Sequence, residues 1–156
     1  MYSSILSTRP ITVISSLIFA ASFLLCALDF RFGWSAVPAW LSTVGCVVFL
    51  LAYAGFAELL RENEYLSRSV ELQAGQKVVS TGMYGIVRHP MYAVIIWLFL
   101  SMPLILGSYI GLIPLAFIPY VLVKRLLNEE KLLRGGLDGY DEYMQKVRYR
   151  LIPFVW

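Results

Sequence analysis

MYAVIIWLFLSMPLILGSYIGLIPLAFIPYVLV, Met91 to Val123, runs for 33 residues without a charged side chain. Two more uncharged runs precede it: Pro10 to Leu28, with 19 residues, and Trp34 to Ala57, with 24. In a helix rising 1.5 Å per residue, about 20 apolar residues cross a hydrocarbon core of roughly 30 Å. The first two runs therefore predict one transmembrane helix each. Buried helices of a soluble bundle would need charges every few residues on a solvent face, and these runs have none. A cleaved signal peptide fits the first run badly. Its apolar stretch is too long, only Arg9 precedes it, and Ala20 and Ala21 lie in its middle.

The 33-residue run overshoots one crossing and just reaches two. Pro103, Gly107, Ser108 and Gly111 cluster at its centre. Proline removes a helix hydrogen bond and glycine permits turn geometry, so a hairpin near Gly107 and Ser108 is expected. Pro114 and Pro119 are expected to kink the returning helix. Charge placement agrees. With four crossings, 12 of the 13 basic residues share one side and Arg31 stands alone on the other. With three crossings the split is five against eight, so the excess of positive charge on cytoplasmic loops favours four. The expected fold is all-α: a polytopic integral membrane protein with four transmembrane helices, the last two a helical hairpin. Both termini are expected to be cytoplasmic.

Composition points the same way. Hydrophobic residues make up 59% and charged residues 15%, with mean hydropathy +0.71. Soluble domains carry about 45–50% and about 25%. The net charge of +3 is too small and too mixed for a nucleic-acid binder. Cys26 and Cys46 fall inside expected spans, without a CxxC partner and away from the only histidine. They read as small core residues, and no metal site is expected. No GxGxxG follows a strand and no P-loop occurs, which excludes a Rossmann-type cofactor domain. There is no CaaX box.

The polar material falls in two blocks, 58–90 and 124–156, expected on the same membrane side. In the first, the second helix should continue to about Tyr65. Val70 to Val79 reads as extended with Gly75 as a turn, and Met83 to Val87 as a short helix. Arg88-His89-Pro90 opens the third helix, where proline is tolerated because its missing N–H would be unpaired. An arginine beside the only histidine at a helix start needs an anionic or hydrogen-bonding partner. In the second block, Arg125 with Glu129, Lys124 with Asn128, and Glu130 with Arg134 are four apart and share helix faces. Gly135-Gly136 ends that helix. A short amphipathic helix should follow from Asp138 or Gly139 to about Arg148. Tyr140, Tyr143 and Val147 would share one face, and a basic face could meet anionic lipid.

Three strings together resemble a known family: TGMYGIVRHPMY at 81–92, NEEKLL at 128–133 and GYDEYMQKVRYRLIP at 139–153. Their order and spacing are similar to those of the isoprenylcysteine carboxyl methyltransferases, which are related to phospholipid methyltransferases. The likeness covers roughly residues 58–154. It implies a single membrane methyltransferase domain, with residues 1–57 as an N-terminal two-helix part and 58–156 as the catalytic core. It further implies S-adenosylmethionine as cofactor, held in a cytoplasmic pocket, and a lipid-like substrate entering from the bilayer. By motif position, Tyr84, His89, Pro90, Met91 and Tyr92 should line the cofactor, as should Gln76, Lys77, Val78 and Val79. Glu71 is a further candidate. Glu129 should contact the cofactor, and Arg125, one turn earlier, should hold the acceptor. Eukaryotic members have additional N-terminal helices, and residues 1–57 carry no motif of the family.

These residue types suit methyl transfer to a carboxylate. Such an acceptor is ionised at neutral pH and needs an orienting cation, which a bidentate arginine supplies better than lysine. An aminophospholipid acceptor would instead need a nearby Glu as base. Methylation of a small thiol is a third reading. A non-catalytic membrane scaffold or transporter subunit is the rival from another class, and the lack of charges deep in the spans speaks against a transport path.

Overall fold

The computed structural model describes residues 2–65 and 75–156, with side chains from residue 11 onward. The elements are α1 (Tyr2–Phe32), α2 (Ala39–Glu62), α3 (Pro90–Ile105), α4 (Leu112–Leu115), α5 (Ile118–Gly136) and α6 (Tyr140–Lys146). A 3₁₀ turn, Gly82–Gly85, lies between α2 and α3. Among the described residues there is no strand.

Ile11–Phe32 and Ala39–Glu62 are long and apolar enough to cross a membrane. Only 11% and 17% of their most apolar stretches are buried inside the protein. Leu17, Leu24, Trp40, Leu50 and Leu51 point outward, each more than half exposed. A water-facing surface of that kind is untenable, so these helices are membrane-embedded.

The uncharged run from Met91 breaks where its glycines cluster. Helix α3 stops at Ile105, and Gly107 adopts φ 78, which an L side chain rarely adopts. The returning segment is more than kinked. It forms one turn, α4, and restarts as α5 with Pro119 in its first turn, where a proline costs no hydrogen bond. At 16 residues, α3 is about 24 Å long, shorter than α1 and α2.

Helices α2 and α3 pack antiparallel. A side chain at Gly45 would come within 3.2 Å of Leu104 Cβ, so the small residue permits the close approach. Helix α1 lies against α3, α4 and α5, with Phe19 and Phe99 rings 4.9 Å apart. The main core gathers Tyr92, Leu115, Ile118, Leu122, Leu126 and Leu151. At the Gly107 end, Asp29 is buried and accepts hydrogen bonds from the Ser35 amide at 2.7 Å and from the Ser108 hydroxyl. Ser22 Oγ donates to the Gly111 carbonyl at 2.7 Å. These bonds tie α1 to the turn that joins α3 and α4.

Several local expectations need correction. Helix α2 ends at Glu62, with Asn63 as its cap, rather than near Tyr65. The short helix expected at 83–87 is a 3₁₀ turn one residue earlier. The amphipathic helix is only Tyr140–Lys146, started by Gly139 at φ 79. Cys26 is buried as expected, whereas Cys46 lies on the exposed face of α2. Glu71 and the first half of the expected extended stretch, residues 70–74, lie outside the described residues; 76–80 has no regular structure.

Candidate functional site

The end of the molecule opposite Gly107 collects the C-terminus of α2, the N-terminus of α3, the C-terminus of α5, α6 and the strap 147–151. The strap is held in register by two backbone bonds: the Arg88 and His89 amides donate to the Tyr149 and Arg150 carbonyls, each at 2.9 Å. These bonds place the Arg-His-Pro motif directly beside the tail.

Glu130 sits at the centre of this junction and is 4% exposed. Arg88 Nε donates to its Oε1 at 2.8 Å, and Arg150 Nε to its Oε2 at 2.9 Å. The other Arg88 contacts are the Val147 and Arg148 carbonyls, at 2.8 and 2.9 Å. Burial by itself raises the Glu130 carboxyl. The His89 ring and the Arg150 and Arg88 guanidiniums outweigh it and hold the group down at about 2. Glu130 is thus the anionic partner that Arg88 and His89 require. The expected Glu130–Arg134 helix pair does not form, because Arg134 turns to Asp141 at 2.9 Å on the surface.

The neighbouring carboxylate faces the other way. Glu129 Oε2 accepts a hydrogen bond from the Tyr92 hydroxyl at 2.6 Å. Arg125, one turn back on α5, stands close enough to act on the same hydroxyl. Adjacent positions on a helix point about 100° apart, so Glu129 faces the cavity and Glu130 faces the junction.

That cavity is open; its space together with the solvent at its mouth comes to about 800 Å³. Of the residues expected from sequence, Gln76, Lys77, Val78, Val79, Tyr84, His89, Met91, Tyr92 and Glu129 line it. Pro90 is buried at the start of α3 and Arg125 lies behind Tyr92; neither is part of the lining. Glu71 lies outside the described residues. The lining also takes in Asn63, Arg88, Tyr140 and Tyr143, which motif position did not single out. Asn63 Nδ2 donates to the Tyr84 hydroxyl at 3.0 Å, and the Tyr143 hydroxyl donates to the Tyr84 carbonyl at 2.7 Å. Burial raises the hydroxyls of Tyr84, Tyr140 and Tyr143, so all three stay protonated as donors. A lone Asn after a charged helix end carries no periodic signal. The Tyr140–Tyr143 spacing did signal a shared face, but not what that face meets.

The family model described as isoprenylcysteine carboxyl methyltransferase (ICMT) family matches residues 43–135. The chain belongs to that family. As an ICMT-family protein it is an integral membrane methyltransferase. The match starts within α2 and ends at the last turn of α5, so it spans most of the cavity wall. Helix α6 and the strap, which supply Tyr140, Tyr143 and Arg150, lie beyond it. Among the described residues no group of three His, Cys, Asp or Glu side chains could hold a metal ion.

The wall suits an adenosyl cofactor chemically. Glu129 offers an acceptor for ribose hydroxyls or an amino group, and the tyrosines offer faces for a purine. His89 Nε2 is buried 3.4 Å from Glu130 Oε1, an electrostatic contact that falls short of hydrogen-bond geometry. A buried polar atom left unpaired by the protein is open to pairing by a ligand.

Proposed function

We propose that this ICMT-family protein is an S-adenosylmethionine-dependent methyltransferase acting on a carboxylate of a lipid-like acceptor that arrives from the bilayer. One juxtaposition carries the reading. Glu129, fixed by the Tyr92 hydroxyl at 2.6 Å, stands on a cavity wall with His89, Tyr84 and the 76–79 segment, and Arg125 is one turn away toward the apolar core.

When bound, the cofactor supplies a methyl group on a sulfonium, ready for in-line displacement. The chain's task is then positioning. Glu129 and the backbone of 76–79 hold the polar parts of the cofactor, with Glu71 as a further contact. His89, Met91, Tyr84 and Tyr92 pack its adenosine part, and Pro90 sets the start of α3 beneath them. Arg125 clamps the acceptor carboxylate, which needs no base because it is already ionised. Bringing the reacting atoms to about 3–3.5 Å in a dry pocket accounts for most of the rate gain such a site can supply.

We further propose that the chain crosses the membrane four times, with α3 and the α4–α5 segment as a hairpin. Both termini and the cavity then lie on the cytoplasmic side, where 12 of the 13 basic residues collect. Residues 1–156 act as one domain, with 58–156 as its catalytic part. The test is to incubate purified protein in nanodiscs with methyl-labelled cofactor and the host's total lipid extract. A labelled lipid whose label is released by mild alkali is expected, as for a methyl ester. An alkali-stable label would replace the carboxylate with an amine or thiol acceptor, and no labelled lipid at all would refute the reading.

A further inference from the structure

Two residues lining the cavity carry a buried polar atom without a hydrogen-bond partner among the described residues: His89, at Nε2, and Tyr140, at its hydroxyl. Tyr140 was not among the cofactor contacts expected from the sequence, and it lies outside the family match at 43–135.

The contrast with Tyr143 is informative. The two tyrosines lie three apart on α6 with ring centroids 5.7 Å apart, and both are buried, at 4% and 5% exposure. Tyr143 uses its hydroxyl within the protein, donating to the Tyr84 carbonyl at 2.7 Å. Tyr140 does not. Leaving a buried hydroxyl unpaired is destabilising, and a phenylalanine would fill the same space without that cost. A hydroxyl kept in such a place signals a partner that arrives from outside.

We propose that Tyr140 is a ligand-binding residue of this cavity, donating a hydrogen bond from its hydroxyl to an acceptor atom on the bound adenosyl cofactor. The proposal rests on the S-adenosylmethionine reading above. Burial and the neighbouring Glu130 charge keep the hydroxyl protonated, so it is a donor in need of an acceptor. Adenine ring nitrogens, ribose oxygens and the amino-acid carboxylate are the acceptors that such a cofactor carries. The adjacent His89 ring would complete the same contact region.

The test compares wild type, Tyr140→Phe and Tyr143→Phe in detergent or nanodiscs. Two quantities are read: calorimetric affinity for S-adenosylhomocysteine, which cannot react, and the melting temperature without ligand. Tyr140→Phe is expected to weaken binding about three- to tenfold, the worth of one neutral hydrogen bond. Its ligand-free melting temperature should stay level or rise, because no bond within the protein is lost. Tyr143→Phe should lower that temperature. Unchanged affinity in Tyr140→Phe, or a drop in melting temperature matching that of Tyr143→Phe, would overturn the assignment in favour of a structural hydroxyl. Repeating the titration with adenosine locates the acceptor. A loss with both ligands supports a bond to the nucleoside half, and a loss with S-adenosylhomocysteine alone supports a bond to the amino-acid half. Wild type that binds no S-adenosylhomocysteine would overturn the cofactor reading itself, and this proposal with it.

Discussion

Arg88 Nε and Glu130 Oε1 lie 2.8 Å apart, with both side chains almost wholly buried at 4% and 6% exposure. The pair joins the start of α3 to the middle of α5, and Arg150 brings the strap to the same carboxylate. Three segments distant in sequence therefore meet on one charge. Removing one member of such a group strands the others without compensation, at a cost of about 3–5 kcal/mol. Glu130→Gln is expected to lower unfolding stability by that order, read by denaturant or thermal unfolding in detergent.

Glu129→Gln should behave differently, although it is the adjacent residue. Its carboxylate faces the cavity and accepts a hydrogen bond from the Tyr92 hydroxyl. Cofactor affinity is expected to fall about tenfold or more, since bonds to a charged acceptor are worth about 1.5–3 kcal/mol, while stability changes little. Calorimetry and melting curves on the two variants side by side check the contrast. Equal loss of stability in both would contradict the division of labour between the two glutamates.

Arg125 offers a kinetic test. If it clamps the acceptor, Arg125→Ala should reduce kcat/KM for the lipid about ten- to a hundredfold and leave cofactor affinity unchanged. Arg125→Lys should recover only part of the loss, because an ammonium cannot make the bidentate contact. Steady-state rates with varied acceptor, together with cofactor titrations, separate the two effects. Unchanged turnover in Arg125→Ala would remove the residue from the reaction.

The pH dependence follows from Glu130. Its folded-state carboxyl is held at about 2, below the ordinary value of 4.5. A depressed carboxyl contributes stability above the unfolded value and loses it as pH falls toward the folded one. The contribution should thus be intact from neutral pH to about 4.5 and disappear between about 4.5 and 2. Wild type should show a steeper loss of stability across that window than Glu130→Gln, measured by unfolding at a series of pH values.

Topology can be checked by labelling. Tyr109→Cys, at the Gly107 end, should react with a membrane-impermeant maleimide from outside the cell. Lys77→Cys, at the cavity, should react only after permeabilisation. Labelling of both from the same side would exclude a membrane-spanning hairpin after α3.

Much of the architecture was legible from one-dimensional pattern. Long uncharged runs have a single physical outlet, so both apolar helices were expected, although α1 extends beyond Pro10–Leu28 at both ends and α2 is shifted five residues from Trp34–Ala57. The glycine cluster marked the turn after α3, because a positive φ at Gly107 is a local requirement. Helix ends were less legible: α2 stops at Glu62 although charged helical spacings continue past it. At the stop, Asn63 Oδ1 accepts from the Tyr65 amide and Nδ2 donates to the Tyr84 hydroxyl, a contact between residues 21 apart.

Which glutamate serves which purpose is the clearest division between the two levels. The sequence by itself determined that Glu129 and Glu130 share a helix, that Arg125 lies one turn before them, and that Arg88 and His89 open another helix. Those are consequences of local periodicity and hydropathy. It could not determine that Arg88 chooses Glu130 over any other acid, that Glu129 turns to Tyr92, or that Tyr143 is satisfied and Tyr140 is not. Only the tertiary structure decided these. Hydrogen bonds act over about 3 Å, and which groups come that close depends on how α3, α5, α6 and the strap pack, not on their spacing along the chain.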